Sequence, residues 1–245
     1  MQAEFDIQEA YYFARRAQAV YDEKPTIYDP VTDTAVMIRE TAKRIEIGFP
    51  GTRNFRDVMK DLEVLRSARL IGGVVCGVHH GFDLAWNGVR DAVMDSLSRM
   101  EAGKPVAGFG HSKAGAVATR CLPDISKLTG RPIDSCYTFG EPRGGDANYA
   151  LMCDVLFGDR HWRVEDGDDA ICRLPGWFAG NRHSGHCVLL NANRPQYKID
   201  PNLWFKITSD ALEVWKAKFT GNVMVLAEDH HVDKYVERFR RLTIN

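Results

Sequence analysis

The apolar and polar positions divide the chain into short segments with different periods. From residue 5 to residue 21, Phe5, Ile7, Ala10, Tyr11, Ala14, Ala17, Val20 and Tyr21 recur mostly at three- and four-residue spacing, which predicts a helix with one apolar face. Residues 34–39 and 44–49 are rich in β-branched side chains, the second run alternating apolar with polar, and both read as neighbouring strands. The longest uncharged stretch, residues 70–78, reads as a buried strand with a glycine turn, its strand portion at 73–78. Ala85, Val89, Ala92, Val93 and Leu97 return to helical spacing. A strand at 105–110, a helix-like run at 113–121 and strands at 133–139 and 162–164 complete a series in which strands alternate with helices. Such a series predicts an α/β fold, with a mostly parallel central sheet flanked by helices. Ligands bind such sheets at the carboxyl ends of the strands.

Composition narrows the picture. The chain has 245 residues, 44% hydrophobic and 27% charged, the profile of an ordinary folded protein. No interdomain linker or repeat interrupts residues 1–245, which are read as one domain. The 32 Lys and Arg residues nearly balance the 33 Asp and Glu residues, and no basic run marks a nucleic-acid partner. Residues 70–78 fall far short of the roughly 20 apolar residues a membrane-spanning helix requires. The acidic start of the chain does not look like a secretory signal, and the six cysteines are scattered without Cys-x-x-Cys pairs. Together these features lead us to expect reduced thiols and a cytoplasmic setting.

The richest chemistry lies in residues 106–116, Val-Ala-Gly-Phe-Gly-His-Ser-Lys-Ala-Gly-Ala. A strand that runs into a tight turn with a serine at its apex and a helix behind it presents Ser112 as a nucleophile. The helix N-terminus there offers N–H groups and a positive dipole end to a developing oxyanion. The Gly-x-Ser-x-Gly pattern is imperfect, because Ala114 holds the last position and glycine follows at Gly115. Upstream, a loop at Gly51-Thr52 ends a strand; Thr52 and Lys113 are the expected oxyanion donors. Downstream, Asp166, Asp168 and Asp169 cluster at a strand end, and His230 and His231 lie near the C-terminus.

In this arrangement the chain resembles the class 3 lipases, the fungal-lipase-like branch of the α/β-hydrolases. Gly51-Thr52 with Asp61-Leu62, Val78-His79-His80-Gly81-Phe82, Gly110-His111-Ser112, Thr138-Phe139-Gly140-Glu141-Pro142-Arg143 and Arg163-Val164…Asp169…Leu174-Pro175 match family motifs in order. The resemblance implies an α/β-hydrolase fold and a triad of Ser112 as nucleophile, Asp169 as acid and His230 as base. Asp61 is implied as the support of the Thr52 hydroxyl. His230 is preferred to His231 because in part of the family the base stands five residues before a tyrosine, here Tyr235. Asp169 alone has the family's spacing to Leu174-Pro175, which leaves Asp166 and Asp168 as a surface acidic loop.

The implied activity is hydrolysis of carboxylic esters, most of all acylglycerol-type lipids, through an acyl-enzyme on Ser112, with no cofactor. A small ester or lipid substrate is the expected partner, met at a lipid–water interface. Phospholipase, acyltransferase, and polyester or feruloyl esterase readings keep the same triad, and a non-catalytic binding protein is the reading from a different class. Phe55, Val58, Met59 and Leu62 follow helical spacing and suggest either a small lid or a surface helix. Trp177-Phe178, Trp204-Phe205 and Trp215 suit an acyl pocket or the core. Cys172, His183, His186 and Cys187 are residue types that bind zinc, but they lack a standard spacing, and no metal is expected.

Overall fold

The computed structural model describes residues 4–51, 65–167, 169–176, 179–191, 194–202 and 230–244. Thr52, Asp61, the 55–62 segment, Asp168, Trp177-Phe178, Trp204-Phe205 and Trp215 lie outside the described residues.

The first apolar face forms helix α1 (Ile7–Ala19), with Ala10, Phe13, Ala14 and Ala17 buried and the Asp6 carboxylate capping the N–H groups of Gln8 and Glu9. Strands β1 (Ile27–Asp29), β2 (Thr34–Glu40) and β3 (Ile45–Phe49) follow, each antiparallel to the next. After the hairpin of β4 (Arg66–Ile71) and β5 (Val74–His79), helix α2 (His80–Ser98) leads to β6 (Val106–His111), helix α3 (Lys113–Thr129) and β7 (Ile133–Phe139). Helix α4 (Ala147–Phe157), strands β8 (His161–Asp166), β9 (His186–Leu190) and β10 (Tyr197–Ile199), and helix α5 (Val232–Ile244) complete the described elements.

These strands order as β1-β2-β3-β6-β7-β8-β9-β10. The central pairings β3–β6, β6–β7, β7–β8 and β8–β9 are parallel, and the outer ones are antiparallel. This mostly parallel sheet with covering helices is the expected α/β-hydrolase-like architecture. Period-two alternation sends successive strand residues to opposite faces. Val106 and Cys136 join the core beneath α2, α3 and α4, whereas Ala107, Phe109, Tyr137 and Phe139 join the core beneath α1 and α5. Each central strand is therefore buried on both sides, which accounts for its near-continuous apolar run.

The structure bears out the glycine turn in residues 70–78 and a strand after it, but corrects the expected burial and adds a strand before the turn. Gly72 and Gly73 both have positive φ, +56° and +85°, and they form a two-residue turn between the paired Ile71 and Val74. Glycine is favoured in such turns because both central residues must be left-handed. The apolar run is thus split between β4 and β5, which pair with each other rather than with the main sheet. Leu70 and Val75, directly opposite each other, are 69% and 64% exposed. Helix α3 also runs past its expected end at Cys121 and through Pro123, because Leu122 and Ile125 continue the buried face.

Candidate active site

Strand β6 and helix α3 meet at Ser112, whose φ of 62° and ψ of −137° form a sharp connection. Such a conformation costs a non-glycine residue about 1–3 kcal/mol and persists only where its surroundings hold it. Here the Ser112 N–H donates to the Phe139 carbonyl at 2.8 Å, and the Ser112 carbonyl accepts from Gly115 N–H at 3.0 Å. A Cβ on Gly110 would stand 2.4 Å from the Ala114 carbonyl carbon, so glycine at position 110 is what allows strand and helix to approach. Ala114 is buried within the first turn of α3, so alanine is accommodated where the family pattern has glycine. Lys113 opens the helix, at the end whose first N–H groups lack intrahelical acceptors.

Asp169 follows β8, and His230 precedes α5 by one intervening residue. His230 Nδ1 lies 2.7 Å from Asp169 Oδ2, and Tyr235 donates its hydroxyl to the same oxygen at 2.5 Å. Asp169 Oδ1 accepts from the Ile171 N–H at 2.9 Å. Burial opposes ionisation of this carboxyl, but the charge and hydrogen bond of His230, with the Tyr235 and Ile171 donors, hold it below the usual aspartate value. His231 is exposed, whereas His230 is buried. Gly140, at φ +63°, fits beneath the pair: a Cβ there would lie 2.8 Å from Asp169 Oδ2 and 2.9 Å from His230 Cε1.

Ser112 Oγ and His230 Nε2 are both buried, and neither has a hydrogen-bond partner among the described residues. The site therefore holds a hydroxyl and an imidazole nitrogen that no structural hydrogen bond uses there. A cavity of about 470 Å³ adjoins it, lined by Tyr21, Phe49, Gly51, Lys113 and Val117 among others. Its walls combine apolar side chains with a polar rim that includes Glu23 and Tyr28, a composition suited to a small amphipathic ligand.

The surrounding assignments divide. Asp166 is not a surface acid: it is 1% exposed and pairs with Arg238 of α5 at 3.0 Å, and a charge at that depth needs such a partner. His183 Nε2 lies 2.6 Å from the Cys172 carbonyl oxygen, and His186 Nδ1 lies 2.7 Å from Asp200. Among the described residues no group of three or more His, Cys, Asp or Glu side chains is placed to hold a metal ion. His79 stacks on Phe82 at 4.0 Å between ring centroids. The sequence reading missed the parts played by Tyr235, whose hydroxyl reaches Asp169, and by His111, whose Nε2 lies 2.6 Å from the His230 carbonyl oxygen.

The family profile described as Lipase (class 3) matches residues 46–179, more than half of the chain. The chain belongs to the class 3 lipase family. It is 33% identical over 162 residues to secreted mono- and diacylglycerol lipase 1 of Fusarium solani, covering 64% of this chain and 44% of that one. A secreted mono- and diacylglycerol lipase of Malassezia restricta is 27% identical over 114 residues, 45% of this chain and 38% of the other. The class 3 chain thus spans less than half the length of these curated relatives. Among solved structures, Rhizomucor miehei triacylglyceride lipase aligns with a TM-score of 0.68 at 24% identity, over 79% of this chain and 83% of the other. A triacylglycerol lipase from Penicillium expansum aligns with a TM-score of 0.68 at 18% identity, over 85% and 90%. These likenesses establish the fungal-lipase fold.

The curated relatives overturn the expected cytoplasmic setting, because both of those named here are secreted lipases. The cysteines gave no real indication of compartment. All six are buried free thiols, and burial raises the pKa of Cys76, Cys121, Cys136, Cys153 and Cys172, that of Cys153 to about 12. A thiol kept protonated and away from solvent reacts slowly in either redox environment. Among the described residues no helix is long and apolar enough to cross a membrane.

Proposed function

We propose that this class 3 lipase hydrolyses the ester bonds of acylglycerols outside the cell, with Ser112 as nucleophile, His230 as general base and Asp169 as the acid of the triad. The reading is carried by the buried His230–Asp169 hydrogen bond of 2.7 Å, with a buried, strained Ser112 at the β6–α3 turn in support. The mono- and diacylglycerol lipases among the relatives support the substrate class, and their secretion supports the location. A lipid–water interface is the corresponding place of action. One domain suffices, since Ser112 and Asp169 follow strands of one sheet and His230 reaches Asp169 from the approach to α5.

The chemistry follows from the groups. Asp169 accepts the Nδ1–H of His230, which leaves the Nε2 lone pair to take the Ser112 proton. Ser112 Oγ then bonds to the ester carbonyl carbon, and the negative charge moves to the carbonyl oxygen. The Lys113 N–H, at the positive end of α3, stabilises that oxygen, and Thr52 is assigned as the second donor from the sequence alone. Collapse expels the alcohol with the proton from His230. Water, deprotonated by the same nitrogen, releases the fatty acid and restores Ser112. Asp61 is assigned to hold the Thr52 hydroxyl.

Hydrolysis of monoolein and diolein by the wild type and by Ser112→Ala tests the reading. The wild type should release fatty acid, and the variant should lose at least about a thousandfold in rate. Equal rates would reject Ser112 as nucleophile. Phospholipid, feruloyl and polyester substrates assayed in parallel test the substrate class.

A further inference from the structure

Tyr21 and His111 form a hydrogen-bonded chain that ends on the backbone of His230 and that the mechanism above does not use. The Tyr21 hydroxyl lies 2.8 Å from His111 Nδ1, and His111 Nε2 lies 2.6 Å from the His230 carbonyl oxygen. A carbonyl oxygen only accepts, so Nε2 carries the hydrogen. Nδ1 is then a lone pair, and the Tyr21 hydroxyl must donate to it. The two contacts together select one neutral tautomer of His111. Its ring is 5% exposed and lies 4.6 Å from the ring of His230, centroid to centroid. The His230 carbonyl that it holds precedes the first turn of α5.

Gly51 makes this arrangement possible. A Cβ there would stand 2.1 Å from the Tyr21 hydroxyl oxygen and 2.8 Å from the His111 carbonyl oxygen, so any side chain at position 51 would push the phenol away from His111. Tyr21 also lines the cavity beside Lys113. It therefore stands between the space available to a ligand and the residue that anchors the base.

We propose that Tyr21 is a positioning residue for catalysis, acting through the tautomer of His111 to hold the backbone of His230 where its Nε2 can serve Ser112. The proposal rests on the triad reading of His230. Without the Tyr21 hydroxyl, the buried Nδ1 lone pair loses its donor, which weakens the tautomer whose Nε2–H bonds the His230 carbonyl. That loss admits the other tautomer, whose Nε2 lone pair faces that carbonyl and repels it.

The test is a double-mutant cycle on the purified full chain with a soluble ester, combining Tyr21→Phe with His111→Gln. The glutamine amide can donate to the His230 carbonyl without help from Tyr21. Tyr21→Phe alone should lower kcat about tenfold, leave KM within twofold and keep the thermal midpoint within a few degrees, because it removes one oxygen. In the His111→Gln background the same change should leave kcat unaltered. A rise in KM alone, an unchanged kcat, or an equal loss of kcat in both backgrounds would overturn the proposal.

Imidazole nitrogen-15 spectra give a readout independent of turnover. His111 should carry its hydrogen on Nε2 in the wild type and gain Nδ1–H character in Tyr21→Phe. A wild-type Nδ1–H form would refute the chain directly. Ser112→Ala and His230→Ala, assayed alongside, separate this proposal from the one beneath it: wild-type rates in those variants would reject the triad reading itself.

Discussion

The Tyr235 hydroxyl donates to Asp169 Oδ2 at 2.5 Å, so helix α5 holds the carboxylate that faces His230. The same helix sends Arg238 to Asp166 at 3.0 Å. Together, Tyr235 and Arg238 attach α5 to the carboxyl end of β8 and the loop that follows it. The helix thereby fixes Asp169 and, through its own N-terminal approach, His230. Tyr235→Phe should lower stability at neutral pH by about 1.5–3 kcal/mol, the range for a hydrogen bond to a charged group. It should also raise the Asp169 pKa toward the ordinary carboxylate value. Urea denaturation and the acid limb of the activity profile measure both effects; unchanged values would show that the contact does not hold the carboxylate.

The space beneath the His230–Asp169 pair is filled by backbone. Gly140 combines a φ of +63° with a would-be Cβ contact of 2.8 Å to Asp169 Oδ2, so Gly140→Ala is strained both in its backbone and against the pair. We expect a stability loss of about 1–3 kcal/mol and a larger loss of hydrolysis than any comparable glycine replacement at Gly73, where a Cβ meets nothing within 4 Å. Thermal unfolding and ester turnover of both variants make the comparison. Equal behaviour of the two would contradict it.

His111 has a consequence for acid stability. Burial, with the nearby His230 acting in the same direction, pushes its imidazole from 6.5 down to about 3. Between those values the unfolded chain binds a proton at this residue and the native chain does not. The His111 contribution is therefore fully present above 6.5 and is lost as pH falls toward 3. From pH 7 to pH 5 this residue alone should remove about 2 kcal/mol. His111→Gln should be correspondingly less sensitive to acid, as read by urea midpoints at the two pH values. Identical losses in wild type and variant would show that His111 is not buried as a neutral ring.

Much of the fold was legible in the sequence because the central strands are buried on both faces. The runs at 106–111 and 133–139 have few polar residues to obscure them. The elbow at Ser112 was legible for a local reason: a close strand–helix approach demands small residues at neighbouring positions, here Gly110, Ala114 and Gly115. The glycine turn of the hairpin was legible too, but its exposure and its separation from the main sheet were not, since an apolar run has the same appearance whether it is buried or exposed. Asp166 looked solvated among its acidic neighbours because its partner, Arg238, lies 72 residues away. Tyr21 and His111, 90 residues apart, are likewise invisible to any pattern within a local window. The spacing of His230 to Tyr235 pointed to His230 as the proposed base, but nothing in that spacing told of the hydroxyl contact with Asp169.

The central claim is that Ser112 is activated by His230, and an active-site-directed fluorophosphonate tests it most directly. Mass spectrometry of the labelled protein should find one adduct per chain, on Ser112, formed at a rate that collapses in His230→Ala. No adduct, an adduct on another residue, or labelling at the same rate without His230 would contradict the account.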